Sequence, residues 1–220
     1  DILLSDHVLG AYRKAGNIGG VVDSGFRQVI DGSDIFMANE EFPFSSRGTA
    51  AADKQFTFRL PPEHVSMFQE LGIDIVTLAN NHALDFGTDA LLDTCSTLDD
   101  AGILRVGAGA NLEEAKKPVF MEAKGRRIGF LGASRVIPEG SWNATSKGPG
   151  MLTTYDPSLL LEEIKKDREV CDYLVVYVHW GIERDERPQE YQRTLGQQYI
   201  DAGRPCDRQP SPCTAGAGIL

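Results

Sequence analysis

The sequence predicts an α/β fold, a layered arrangement of mixed β-sheet flanked by helices, on three observations. Stretches with a helical apolar period alternate with short β-branched runs, the pattern of helices laid against a sheet. One pair of runs is joined by the tight turn Lys124-Gly125-Arg126, which puts an antiparallel pair among the strands. The conspicuous polar residues fall just after strand-like runs, where open α/β sheets gather their active groups.

The elements follow in order. DIFMA (34–38) reads as a strand. Residues 62–71 open at a Pro-Pro pair and place Val65, Phe68 and Leu71 on one helical face, with Gly72 as the stop. DIVTLAN (74–80) is a β-branched run of a buried strand. Residues 87–101 carry Leu91, Leu92, Cys95 and Leu98 at helical spacing before Gly102. VFMEA (119–123) and RIGFLGA (127–133) form the hairpin. A helix over 156–170 presents Leu159, Leu160, Ile164 and Val170. YLVVYVHW (173–180) is the strongest strand, and a helix over 188–202 ends at Gly203.

Composition narrows the function classes. The chain has 220 residues, 41% hydrophobic and 25% charged, enough for one sizeable core. Its 22 Lys plus Arg against 32 Asp plus Glu leave a net charge of −10, which speaks against nucleic acid as a partner. An anionic substrate then needs a metal or a local basic cluster. Lys116, Lys117, Lys124, Arg126 and Arg127 form one such cluster, better read as a solvated turn. No apolar run is long enough to cross a membrane, and no signal peptide is visible in the residues given. Cys95 and Cys171 read as buried free thiols, while Cys206 and Cys213 lie in an unusual tail.

Three strand exits carry the chemistry: Asn39-Glu40-Glu41, then Asn80-Asn81-His82 with Asp85, then His179-Trp180-Gly181. The chain itself opens on Asp1. Carboxylate, amide and imidazole donors from several strands suit Mn, Fe or Zn-like ions, singly or as a bridged pair. Each residue alone has an ordinary reading, as a turn former, a loop hydrogen bond or an exposed charge. Their joint placement raises the metal-site reading to a level with those. His7 and His64 lack such company and are assigned to surface or packing.

These residues lie in segments that resemble a known family. LANNHALDFGTDALLDTCSTLDDAGILRVGAG (78–109) resembles the pattern LANNHxxDxGxxGLxxTxxxLxxAGIxxxGAG of CapA-type capsule-synthesis (poly-γ-glutamate) proteins. MANEEFPF (37–44), VVYVHWGIERDERPQEYQRTLGQQYIDAG (175–203) and the opening DILLSDHVL are similar to three further segments of that pattern. The resemblance implies a calcineurin-like metallophosphatase fold, a mixed-sheet sandwich with two divalent ions at the strand ends. It assigns Asp1, Glu40, Asn81 and His179 as metal ligands and His82 as the acid that protonates a leaving group. Asp85 could orient His82 by accepting its second N–H. The implied chemistry is attack of a metal-activated water on a phosphorus or acyl centre. The implied setting is the synthesis, export or anchoring of an anionic capsule polymer outside the membrane. There the full-length protein would be membrane-associated, beside synthase or export subunits. The same site could instead bind polymer without cleaving it, in a non-catalytic accessory subunit.

The pattern breaks at both ends. Before Asp1 it has a Gly and a strand, and after residue 203 it continues as ADLVIGxHPHVxQ, with two further histidines. Here the chain reads RPCDRQPSPCTAGAGIL. With permitted codons, a shifted frame over that stretch reads DLVIGSHPHVLQGLEF, the missing segment. The expectation is therefore a CapA-like domain over 1–203, incomplete at both ends. Residues 204–220 are then an aberrant, frame-shifted tail, loop-like because Pro205, Pro210 and Pro212 cannot sit in a central strand. The chain as given is expected to be a weak binder of one ion and close to inactive.

Overall fold

The computed structural model describes residues 1–204. By contact density the chain divides into two compact units, one of Asp1–Val76 with His82–Arg105, the other of Thr77–Asn81 with Val106 onward. The readings made for Cys206, Cys213 and the tail from Pro205 lie outside the described residues.

The first unit opens on α1 (Asp6–Ala15) and α2 (Ser24–Asp31). Asp23 caps α2, its carboxylate accepting the amides of Gly25 and Phe26 that a helix start leaves without partners. β1 (Met37–Asn39), α3 (Ser66–Leu71), β2 (Ile75–Thr77), α4 (Thr88–Asp100) and β3 (Leu104–Val106) follow. The strands form a sheet in the order β1-β2-β3. α3 and α4 fall where the apolar spacing puts them, and Gly72 ends α3 in the left-handed conformation, φ 80°. The runs 34–38 and 74–80 are shorter as strands than as apolar sequence. The strands proper are 37–39 and 75–77; beyond them the Leu78 amide donates once more, to Val106 O at 3.0 Å, and Ala79 and Asn80 are buried outside the strand. Phe42, Phe44 and Phe68 meet edge to face, with centroids 4.9, 5.9 and 5.2 Å apart. That geometry aligns ring edges with ring faces in the core. Residues 1–2 lie along β1: the Ile2 amide donates to Asn39 O at 2.7 Å, and the Glu41 amide donates to Ile2 O at 3.1 Å.

The second unit holds β4 (Ala108–Gly109), α5 (Leu112–Ala115), β5 (Val119–Ala123), β6 (Arg126–Ser134), β7 (Gly150–Met151), α6 (Ser158–Arg168), β8 (Tyr173–His179) and α7 (Glu190–Ala202). β5 and β6 are antiparallel, and Ala123 faces Arg126 across a two-residue loop. Lys124 and Gly125 both take positive φ, 50° and 72°, the twist that suits a tight hairpin. β6 and β8 are parallel from Ile128↔Tyr173 to Ser134↔His179, so the sheet is mixed, as the sequence predicts. Among the described residues β8 is an edge of that sheet. Leu160 and Ile164 of α6 pack with Leu131, Val176, Val178, Trp180 and Tyr199 in one buried cluster. Each such aliphatic side chain contributes about 1.5–3 kcal/mol on burial.

Cys95 is buried, as read, whereas Cys171 is only half-buried, and among the described residues neither forms a disulfide. Of the basic cluster, Lys117, Lys124, Arg126 and Arg127 are exposed, Lys116 pairs with Glu113 and Glu163, and Arg126 pairs with Asp172. Among the described residues no helix is long and apolar enough to cross a membrane.

Candidate functional site

In the first unit the turn that follows β2 and leads into α4 presents His82 and Asp85. Asp85 is fully buried, and its Oδ2 lies 2.7 Å from His82 Nδ1. The same oxygen accepts the Phe58 amide at 2.7 Å, and Oδ1 accepts Lys54 Nζ. The Phe58 amide and Lys54 Nζ donate to this carboxyl whichever tautomer His82 adopts. Lys54 Nζ also stands 2.9 Å from His82 Nδ1. That nitrogen can donate a proton to Asp85 or accept one from Lys54, not both at once. The Phe58 ring lies against His82, centroids 4.6 Å apart. Burial lowers the Lys54 pKa, while Asp85 and then Glu41 oppose the shift.

The exit of β1 presents the carboxylates. Asn39 Nδ2 donates to Asp1 Oδ1 at 2.9 Å. Glu40 is fully buried, and desolvation raises its pKa well above the usual carboxylate range. Glu41 is half-buried, and its pKa is raised by burial, with His82 and Lys54 pulling it down and Asp85 pushing it up. Carboxylate oxygens of Asp1 and Glu41 lie within 4.8 Å of each other.

In the second unit the end of β8 presents His179, 98% buried, with Nε2 2.8 Å from Asn81 Oδ1. The strand end is pinned from the end of β6: the Arg135 amide donates to His179 O at 2.8 Å, and Ser134 Oγ donates to the same oxygen at 3.4 Å. Trp180, beside it, stacks on Tyr199 with centroids 6.1 Å apart.

Of the residues singled out in the sequence, Asp1, Glu40, His82 and Asp85 thus lie in the first unit, and Asn81 and His179 in the second. His82 meets Asp85, and Asn81 meets His179. Glu41 and Lys54 were passed over. Glu41 stood beside a better match to the pattern. Lys54 lies in residues 41–60, where no strand exit or helical period marks it.

The donor chemistry fits divalent ions. Two ligands each about 2.1 Å from one ion, at right angles, lie about 3 Å apart, close to the Asn81–His179 spacing. Asp1 and Glu41 are like charges near one another, an arrangement that a cation relieves.

The structure is a layered α/β scaffold that carries carboxylate, amide and imidazole groups at its strand ends. Residues 1–205 match the family described as bacterial capsule synthesis protein PGA_cap, and the chain belongs to that family. It is 32% identical over 213 residues to the capsule biosynthesis protein CapA of Bacillus anthracis, covering 92% of this chain and 50% of that protein. It is 31% identical over 177 residues to the PGA biosynthesis protein CapA of Bacillus subtilis, covering 80% and 46%. A protein of Mycobacterium tuberculosis described as a "probable polyglutamine synthesis accessory protein" is 32% identical over 159 residues, covering 68% and 42%. The chain spans about half the length of the curated relatives it matches.

Proposed function

We propose that the chain is a metal-dependent hydrolase-like domain acting in the synthesis, export or anchoring of an anionic capsule polymer such as poly-γ-glutamate. The buried Asp85 at 2.7 Å from His82 Nδ1 carries the catalytic part of this reading. A carboxylate on Nδ1 holds that proton and orients the ring, so that when the ring carries a second proton, Nε2 is the position from which it reaches a leaving group. Lys54 supports Asp85 from its other oxygen. Asp1, Glu40 and Glu41 in one unit, and Asn81 and His179 in the other, are donors proposed for divalent ions of the Mn, Fe or Zn type, two of them in the full-length protein. When bound, such ions supply Lewis acidity and charge neutralisation at a phosphoryl or acyl oxygen. The names of the Bacillus relatives, a capsule and a PGA biosynthesis protein, support the polymer assignment; the proposed place is the cell envelope, beside synthase or export subunits.

The test pairs metal analysis with hydrolysis of a phosphodiester and of a γ-linked glutamate oligomer. In the full-length protein His82→Asn is expected to lower turnover at least a hundredfold with metal content unchanged. Equal turnover in that variant overturns the assignment. A non-catalytic accessory role is the second reading, favoured by the description of the mycobacterial relative. It predicts metal and polymer binding without turnover, and polymer output indifferent to His82→Asn.

A further inference from the structure

A cavity of about 540 Å³ opens within the first unit, walled in part by Phe42, Phe58 and Phe86. Phe58 is the ring that lies against His82, so the cavity adjoins the proposed acid. Its volume is in the range of small-molecule sites. Two opposite charges line it, Arg59 and Asp6. Among the described residues neither forms an ion pair, with the other or with any third group. In this Arg59 differs from nearby Arg47, which is tied to Asp93 and Asp89.

Arg59 is nonetheless held in place. Nη1 donates to Arg47 O at 2.8 Å and Gly48 O at 3.4 Å, and the guanidinium carbon stands 4.1 Å from the Phe86 centroid. Gly48 makes this approach possible: its φ is 88°, and a Cβ there would stand 1.9 Å from Phe86 O. The face and one corner of the guanidinium are used, while Nε and Nη2 keep donors of the fork that grips a carboxylate. Asp6, exposed in the first turn of α1, is the acidic side chain on the same cavity.

We propose that this cavity binds the zwitterionic end of an amino acid or γ-linked peptide, with its carboxylate on Arg59 and its ammonium toward Asp6. Opposite charges held apart in one cavity complement a ligand with both charges. They discriminate against a pure anion, which Asp6 repels. The assignment deepens the hydrolase reading by naming the substrate end next to His82. It fails separately, because binding is measured without metal and without turnover.

The experiment titrates the 220-residue chain, in chelator, with γ-glutamylglutamate, with its N-acetylated form and with inorganic phosphate, by calorimetry and amide NMR. The free dipeptide is expected to bind with shifts at Phe58 and Phe86, and N-acetylation to weaken it at least tenfold. Arg59→Met, which keeps an apolar stem over Phe86, should weaken it by as much, and Arg59→Lys by less. Asp6→Asn, an exposed change that guards against a misfolded Arg59 variant, should weaken the free dipeptide and bind the acetylated form, a pure anion, more tightly than before. No binding, equal affinity for the acetylated form, phosphate bound as tightly, or indifference to both substitutions overturns the proposal.

Discussion

Asn81 and His179, 98 residues apart in sequence, meet through Oδ1 and Nε2 at 2.8 Å, with the imidazole buried at the end of a parallel strand. A buried imidazole nitrogen and an amide oxygen form a hydrogen bond in the absence of an ion. The same two atoms suit neighbouring positions on one ion once Nε2 gives up its proton.

Added Mn²⁺ or Zn²⁺ should therefore raise the melting temperature of the protein through this pair. Saturation at a hundred times the dissociation constant corresponds to about 2.7 kcal/mol. Asn81→Ala and His179→Ala should each abolish most of that increment, and Asn81→Ala should cost roughly 1 kcal/mol without metal. Thermal unfolding with and without the ion measures both. An undiminished metal increment in both variants removes the pair from the site.

Gly107 has φ 88°, and a Cβ there would stand 2.7 Å from Ala79 Cβ and 3.1 Å from the Gly132 backbone. Gly102 has φ 74° with nothing within 4 Å of the added atom. Gly102→Ala should cost about 1–2 kcal/mol for backbone strain alone. Gly107→Ala should cost roughly 1–3 kcal/mol more, because Ala79 and Gly132 must also move. Equal losses in urea unfolding would show that the close packing beside Asn80-Asn81 does not constrain this strand exit.

Much of this was legible in the sequence where local signals and burial agree. The Lys124-Gly125 turn, the β8 run and the Leu91/Cys95/Leu98 stripe each form the element they predict. The runs at 34–38 and 74–80 were read too long, because buried irregular backbone is as apolar as a strand. α1 and α2 went unread, since Leu9 and Ile30 are their only buried residues and most of each helix faces water. The strand-exit rule located His82, Asp85, Asn81 and His179. It could not locate Lys54 or Phe58, whose contacts with Asp85 and His82 are made by long-range folding of a segment with no periodic pattern.

Asp167 on α6 is buried, and its Oδ2 has no hydrogen-bond partner among the described residues. Its pKa is raised from 3.8 to about 6, by burial first and then by Glu163, with Lys166 opposing. A carboxyl that holds its proton more tightly folded than unfolded favours the folded state below pH 3.8. That contribution is lost as pH rises to about 6 and stays lost above it. Asp167→Asn should therefore stabilise the protein at pH 7 by roughly 1–2 kcal/mol after allowance for solvent access. The gain should close near pH 4. Urea unfolding at both values checks this, and a gain that persists unchanged at pH 4 assigns it to something other than the proton.

Lys54 and Asp85 compete for one nitrogen of His82. Asp85 Oδ2 is 2.7 Å from Nδ1 and can take its proton, while Lys54 Nζ at 2.9 Å can only donate to its lone pair. In the first arrangement a neutral ring keeps its proton on Nδ1, in the second on Nε2. Lys54→Met removes the donor and leaves Asp85 with His82 and the Phe58 amide, so the Nδ1–H tautomer should dominate. Asp85→Asn removes the charged acceptor and should move the proton toward Nε2. Ring ¹⁵N shifts of His82 distinguish the two tautomers directly, without substrate or metal. Lys54→Met should also cost roughly 1–3 kcal/mol, since a buried carboxylate loses a charged partner. An Nε2–H ring in Lys54→Met would mean that Asp85 does not set the tautomer, and the orientation of His82 would then rest on its packing against Phe58.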